Sequence, residues 1–148
     1  RYIGDWSSDV CSSDLPVNLD DKLAELSARS PLPIFADESC FNRADIPRLA
    51  GSVQGINIKL MKAGGLSEAL AMIYTAQACG LQVMFGCYSD STLSNSALAQ
   101  LAPLADHLDL DSHLNLKDDP FQGATLEAGS LRPNHQPGLG VTYHDLSE

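Results

Sequence analysis

The chain has 148 residues, of which 44% are hydrophobic and 19% are charged, and its formal net charge at pH 7 is −10. This length and balance suit one globular domain with a buried core. The negative charge argues against nucleic acid or an anionic membrane as a partner, since either would repel the chain. No apolar run approaches the roughly 18 residues that a transmembrane helix needs. We therefore expect a soluble protein that binds a small ligand.

The first 15 residues differ in texture from the rest of the chain. The stretch SSDVCSSDL, residues 7–15, surrounds Val10 and Cys11 with serines and aspartates and has no apolar period. It also lacks the basic start and apolar centre of a signal peptide. Back-translation from Ser8 onward gives TCA GAC GTG TGC TCT TCC GAT CT, which resembles a common sequencing-library adapter read in frame. We therefore predict that residues 1–15 are a disordered adapter artefact joined to a truncated gene; a genuine Ser/Asp linker is the alternative.

The four cysteines form no CxxC pair. Cys40, Cys79 and Cys87 lie in apolar or strand-like runs, unlike the dense cysteine framework of a small secreted domain. This pattern favours a reducing compartment, so we expect a cytoplasmic protein.

From residue 18 onward, helical and strand-like segments alternate along the chain. In the first helix, Leu19, Leu23 and Leu26 recur at helical spacing. Pro47 should limit or kink the second helix, and Gly80 is a typical glycine stop for the third. The predicted segments are a helix over 18–30, a strand over 33–39, a short helix over 42–50, a strand over 55–61, a helix over 64–80, a strand over 81–86, a helix over 91–105 and a strand over 107–112.

The predicted strands end near residues 36, 60, 86 and 110, a repeat of about 25 residues that is typical of successive βα units in a parallel sheet. No GxGxxG or GxxxxGKS/T motif follows any strand, which weakens the case for a nucleotide-binding doubly wound sheet. The α/β pattern therefore favours a (β/α) barrel over a doubly wound sheet. Four strands cannot close an eight-stranded barrel, so we expect residues 16–112 to form a partial barrel.

Polar residues follow the first two predicted strands. Asp37 and Glu38 end the first, and their carboxylates suit magnesium or manganese; acids that cap a helix and face solvent are the alternative. In the second strand, alternation groups Lys59 with Asn57 on the face opposite Ile58. If Ile58 meets the helices, Lys59 points into the barrel mouth, where a lysine whose pKa is lowered can act as a proton-transfer base. Lys62 is expected to lie outside the barrel or past the strand end.

Two further groups follow the third and fourth predicted strands. Asp109 and Asp111 share strand parity, so both can face one cavity and bind either a metal or a ligand ammonium. A solvated strand end fits the same spacing. Cys87 and Asp90 lie where the third strand ends, and Cys87 can also be read as a small buried residue without chemistry.

Six short motifs together carry a resemblance to a known family. FADES, INIKLMKAGGL, GCYSDS, DLDS, DDPF and PGLGV resemble, in order and spacing, the C-terminal half of the enolase superfamily in its muconate-lactonizing subgroup, and within it the dipeptide epimerases. The resemblance covers residues from about Asn18 to Val141. It implies the C-terminal half of a modified (β/α) TIM-type barrel without its capping domain. Residues 113–148 would be a tail that packs on that missing domain.

The resemblance also implies a function and roles for single residues. Asp37 would be one of three ligands of Mg²⁺ (or Mn²⁺), and Lys59 the base on one face of the substrate. Asp109 and Asp111 would hold the α-ammonium of an L-Ala-L-Glu-like dipeptide, and Cys87 would lie near it. The reaction would be α-proton abstraction, an enediolate intermediate and inversion at the α-carbon. The other two metal ligands and a second lysine would lie upstream, so we expect the fragment to be inactive alone.

Several alternatives remain open at this stage. An N-succinylamino acid racemase, an o-succinylbenzoate synthase or a cycloisomerase would share Asp37 and Lys59 but has less reason for the Asp109–Asp111 pair. Outside these enzymes, a non-catalytic partial barrel would show the same strand rhythm. The sequence also leaves the oligomeric state open, including a homo-oligomer of the full-length protein.

Overall fold

A five-stranded parallel sheet organises the protein. The computed structural model describes residues 11–13 and 20–145. The strands are β1 (Cys11–Ser13), β2 (Ile34–Ala36), β3 (Gly55–Lys59), β4 (Gln82–Gly86) and β5 (His107–Leu108), and they lie side by side in the order β1-β2-β3-β4-β5. Sequential neighbours that all run in one direction are the order of a (β/α) barrel, whereas a doubly wound sheet reverses its order at a switch point.

Four of the five helices among the described residues lie within the segments predicted to be helical, and the short α3 was not predicted. They are α1 (Asp20–Arg29), α2 (Ile46–Leu49), α3 (Leu60–Ala63), α4 (Leu66–Ala78) and α5 (Thr92–Ala99), with 3-10 turns at Arg43–Asp45, Ala102–Leu104 and Ser112–Asn115. None of the helices in the described part of the chain combines the length and apolar character that a membrane span requires.

Several boundaries differ from the prediction: β2 already ends at Ala36 and α5 at Ala99, and two further differences concern β3 and β5. The second predicted strand stops at Lys59, and α3 follows it directly, ending at Gly64 with a φ of 79°. The last predicted strand is regular only over His107–Leu108, although the amide of Asp109 still donates to the carbonyl of Phe85 at 2.8 Å. Both differences lie at the rim of the sheet, where the polar residues gather.

The two faces of the sheet pack against different groups. Ile56 and Ile58 of β3 and Val83 and Phe85 of β4 are buried in one core cluster with residues of α1, α2 and α4. Asn57 and Lys59 of β3 are also buried, and both side chains contact the carboxylate of Asp37 instead. The alternation therefore confirms the predicted parity of β3, in which Ile58 meets the helices and Lys59 faces the other way.

The C-terminal residues form two small antiparallel ribbons. One pairs β6 (Phe121–Gln122) with β9 (Thr142–Tyr143), and the other pairs β7 (Thr125–Glu127) with β8 (Ser130–Arg132). The amide of Ala124 donates to the hydroxyl of Ser96 at 2.8 Å, which fastens this part of the chain to α5. The packing of residues 113–148 on a capping domain stays a prediction.

Of the segment over residues 1–15, the structure describes only Cys11–Ser13. Cys11–Ser13 form β1, which pairs in parallel with Ile34–Ala36, and the disorder of residues 1–15 stays a prediction. The remaining residues of that segment lie outside the described residues. Its origin as an adapter artefact stays a prediction.

The carboxylate of Asp119 is expected to stabilise the start of α5. Its two oxygens accept from the amides of Thr92 at 2.6 Å and Phe121 at 3.0 Å. We expect Asp119→Ala to lower the free energy of unfolding by about 1 kcal/mol, because it removes a helix-capping acceptor. Urea denaturation measures this loss, and Asp118→Ala, at an exposed neighbour, is the matched control; equal losses in both variants would contradict the assignment.

The same contact should depend on pH. Partial burial acts to raise the pKa of Asp119, but the hydrogen bonds from Thr92 and Phe121 outweigh it and hold that pKa below its ordinary value of 3.8. The stabilisation is therefore complete above the ordinary pKa and is lost as the pH falls through the lower folded-state value. The difference between wild type and Asp119→Ala should shrink in that acid range.

Candidate active site

Polar side chains from four neighbouring strands meet at one edge of the sheet. Asp37 follows β2, Lys59 is the last residue of β3, Cys87 follows β4 and Asp109 follows β5. The carboxyl ends of parallel strands meet at one rim, which is where (β/α) barrels build their active sites. The structure thus places all five residues predicted for the site, including Asp111, at the same rim.

Asp37 lies at the centre of a buried polar cluster. The residue is 2% exposed, and its Oδ2 accepts from Lys59 Nζ at 2.8 Å and from Asn57 Nδ2 at 2.9 Å. Lys62 Nζ donates to the Oδ1 of Asp37 and, at 2.6 Å, to its main-chain oxygen. Burial acts to raise the pKa of Asp37, but the two ammonium groups outweigh it and hold that pKa below its ordinary value. Asp37 is therefore ionised.

Lys59 is held as a cation in this arrangement. Its Nζ lies 3.4 Å from Glu38 Oε1, in addition to Asp37, and 4.6 Å from the centroid of the Tyr88 ring. Burial acts to lower the pKa of Lys59, but the hydrogen bond and charge of Asp37 and the charge of Glu38 outweigh it, so the pKa is raised. The lowered pKa that a lysine base requires is not met in this arrangement, because two carboxylates stabilise the charged form.

Asn57 is a site residue to which the sequence assigned no role. It lies on β3 two residues before Lys59, and β3 pairs Lys59 with Gly86 of β4. A Cβ on Gly86 would lie 2.5 Å from the Oδ1 of Asn57, so the amide can lie there only because residue 86 is a glycine. The Oδ1 atom is buried and has no hydrogen-bond partner among the described residues. The strand alternation placed Asn57 inside, but only the neighbouring strands reveal its partner.

Of the two positions expected for Lys62, the one past the strand end is correct, and the one outside the barrel is wrong. Its side chain is 2% exposed and reaches Asp37. The strand parity used for the prediction ends at Lys59, and the helical turn of α3 brings residue 62 back over the side that Lys59 occupies. If the strand had been predicted to end at Lys59, the three-residue spacing in KLMK would have indicated that Lys62 lies on the same side as Lys59.

Cys87, Asp109 and Asp111 form a second cluster at the rim. One ligand atom from each lies within 4.8 Å of the other two, and all three residues are half-buried. Burial, and then the charge of Asp111, raise the pKa of Asp109. Burial also raises the pKa of the Cys87 thiol, which keeps it neutral. The two close carboxylates beside a neutral thiol offer oxygen ligands to a cation.

The loop after β4 connects the two clusters. Asp90 is buried, and its Oδ2 accepts from the amide of Tyr88 at 3.0 Å. The hydroxyl of Ser112, next to Asp111, accepts from the amide of Asp90 at 3.2 Å and donates to its carbonyl at 3.1 Å. Asp90 therefore shapes the loop that carries Cys87 to the aspartate pair and the Tyr88 ring to Lys59.

The carboxylates near Lys59 are the right type of ligand for magnesium, but they are too few to complete its coordination. Asp37 and Glu38 offer the hard oxygen ligands that Mg²⁺ prefers, and Glu38 Oε2 is buried without a hydrogen-bond partner among the described residues. An octahedral ion needs more ligands than these two residues give. The described residues are therefore consistent with part of a magnesium site.

Comparison with known proteins identifies the family. The family described as "Enolase C-terminal domain-like" matches residues 15–147. The hydrophobic dipeptide epimerase of Roseobacter litoralis is 48% identical over 121 residues, which are 82% of this chain and 35% of that protein. The L-Ala-D/L-Glu epimerase from Bacillus subtilis, in a substrate-liganded complex, superimposes with a TM-score of 0.85 at 31% identity, over 93% of this chain and 40% of its own.

A second solved structure agrees with the first. The dipeptide epimerase from Cytophaga hutchinsonii, complexed with Mg and the dipeptide D-Ala-L-Val, has a TM-score of 0.85 at 29% identity, over 94% of this chain and 40% of its own. The chain thus spans between 35% and 40% of the length of these relatives. It belongs to the enolase C-terminal domain-like family, which confirms both the resemblance and the partial (β/α) barrel that the sequence predicts.

Proposed function

We propose that the full-length protein containing this chain is a magnesium-dependent dipeptide epimerase. The observation that carries the proposal is the pairing of two clusters at one rim: Lys59 with Asp37, and Asp109 with Asp111 beside Cys87. The first cluster suits removal of a proton next to a carboxylate, and the second suits a free ammonium. A dipeptide offers the carboxylate and the neighbouring α-proton at its C-terminal residue, and the ammonium at its N-terminal residue.

The chemistry requires a base and a compensating positive charge. Removing the α-proton of a carboxylate adds a second negative charge, and the resulting enediolate is unstable in a protein interior without a counter-charge. Magnesium, when bound, supplies that charge, and enolase-superfamily sites are known to combine it with a lysine or histidine base. In this chain Asp37 would contribute to holding the ion. Lys59 would first have to release to solvent the proton that Asp37 and Glu38 stabilise on it, and as the neutral amine it would then take the α-proton on one face of the substrate.

The aspartate pair would orient the substrate. Burial and mutual repulsion make the two carboxylates costly to ionise together, as the raised pKa of Asp109 indicates. A ligand ammonium placed between the two carboxylates would relieve that repulsion. Because an ammonium group has only hydrogen-bond donors, it would donate to both carboxylates. Substrates whose amine is acylated or absent lack this charge, which places the N-succinylamino acid racemase, o-succinylbenzoate synthase and cycloisomerase alternatives second.

The chain by itself is expected to be inactive. An epimerase needs a base on each face of the planar intermediate, and Lys59 serves one face. A second lysine and further metal ligands would come from the part of the protein that this chain does not include. We therefore place the activity in the full-length protein.

The test is α-proton exchange by the full-length protein. The recovered gene is expressed, magnesium is added, and exchange in deuterated water is followed by NMR over dipeptides that include L-Ala-L-Glu and apolar ones, with N-succinylamino acids beside them. Exchange with dipeptides supports the proposal. Exchange confined to the N-succinyl substrates would move the protein to that branch, and a folded protein that ignores magnesium would be a non-catalytic barrel.

A further inference from the structure

Of the two lysines that contact Asp37, Lys62 has the more deeply buried side chain. Its side chain is 2% exposed, against 10% for Lys59. We propose that Lys62 is a positioning residue, which fixes the carboxylate of Asp37 so that Oδ2 is the oxygen turned toward Lys59 and the barrel mouth. This inference rests on the proposed function, in which Asp37 is a magnesium ligand.

A single ammonium group holds Asp37 at two points. Lys62 Nζ donates to the Oδ1 of Asp37 and also to its main-chain oxygen, the latter at 2.6 Å. Because one acceptor belongs to the side chain and the other to the backbone, the pair of bonds restricts rotation of the carboxylate relative to the chain. The face of the Phe41 ring lies 5.7 Å from the same Nζ, which leaves the ammonium enclosed.

The two carboxylate oxygens of Asp37 consequently have different surroundings. Oδ1 meets Lys62, whose side chain is enclosed. Oδ2 meets Lys59 and Asn57, and Lys59 in turn contacts Glu38 and Tyr88, both partly exposed. The side of Oδ2 is therefore the side from which a cation can approach.

The charges in the cluster reinforce this division. Asp37 and Glu38 carry two negative charges and Lys59 and Lys62 two positive ones, so the group of four is balanced, with only Glu38 substantially exposed. If Lys62 lost its charge, Oδ1 would lose a charge-assisted bond in a buried place, which is costly. The carboxylate would then gain by turning both oxygens toward Lys59, and its orientation toward a metal ion would be lost.

The test compares magnesium binding in full-length variants. Lys62→Met keeps the length of the side chain but removes the ammonium, and Lys117→Met is the matched control, because Lys117 is exposed. We expect Lys62→Met to weaken magnesium binding about 10- to 100-fold, the usual cost of removing a group that orients a metal ligand. Isothermal titration calorimetry gives the affinity, and circular dichroism shows that the titrated protein is folded.

The outcomes separate this inference from the proposed function. A wild-type protein that binds no magnesium overturns both. A wild type that binds magnesium together with a folded Lys62→Met protein of unchanged affinity overturns the inference alone. If Lys62→Met fails to fold, Lys62→Gln is measured instead, since its shorter amide lacks the charge and cannot hold both oxygens; wild-type affinity in that variant overturns the inference, and a 10- to 100-fold loss supports it.

Discussion

Replacing Lys59 by alanine is expected to abolish most of the α-proton exchange catalysed by the full-length protein. A positioned general base contributes about 10²- to 10⁴-fold to the rate of proton transfer. Of the two lysines that contact Asp37, Lys59 has the more exposed side chain, at 10% against 2% for Lys62. NMR in deuterated water, with saturating magnesium and dipeptide, measures the loss. Exchange should fall by that factor for the proton on the face that Lys59 serves.

The same variant should still bind magnesium. Asp37 retains Lys62 and Asn57 as hydrogen-bond partners, so its carboxylate stays oriented when Lys59 is removed. Lys22→Ala, at an exposed residue of α1, is the control for a lysine lost elsewhere. A Lys59→Ala protein that is folded, binds magnesium and exchanges at the wild-type rate would remove Lys59 from the mechanism.

Changing Asp109 and Asp111 to asparagine should weaken the use of dipeptides selectively. A hydrogen bond to a charged group contributes about 1.5–3 kcal/mol, so each substitution should lower kcat/KM for L-Ala-L-Glu about 10- to 100-fold. Asparagine keeps the shape of the side chain and removes the charge that attracts the substrate ammonium. The effect should appear mainly in KM, because the reacting α-carbon lies at the other cluster.

The substrate provides a chemical control for this second prediction. N-acetyl-L-Ala-L-Glu has no ammonium, so the asparagine variants should treat it no worse than the wild type does. Asp118→Asn, at an exposed residue, controls for the loss of one negative charge on the surface. Equal losses for the free and the acetylated dipeptide would show that the aspartates support the fold of the rim rather than the ammonium.

Both lysines near Asp37 illustrate the limits of reading a strand from its sequence. Alternation predicted that Lys59 faces inward and that Ile58 meets the helices, and both hold, because parity is a local property of an extended chain. For Lys62 the sequence left two positions, outside the barrel or past the strand end. The second is correct, because β3 ends at Lys59 and a helical turn follows. The first is wrong, because a strand and a helix direct a residue three positions on to different sides.

The sequence by itself determined the alternation of the main strands and helices between residues 20 and 108, the inward direction of Lys59 and the family, since these depend on local periodicity and on short motifs; it missed the short α3. Only the tertiary structure decided which groups touch. The contacts of Asp37 with Asn57 and Lys62 join residues 20 and 25 positions apart, and the proximity of Cys87 to Asp109 depends on how β4 and the segment after β5 lie side by side. Such contacts, and the pKa shifts that they cause, follow from the register of neighbouring strands, which no local pattern specifies.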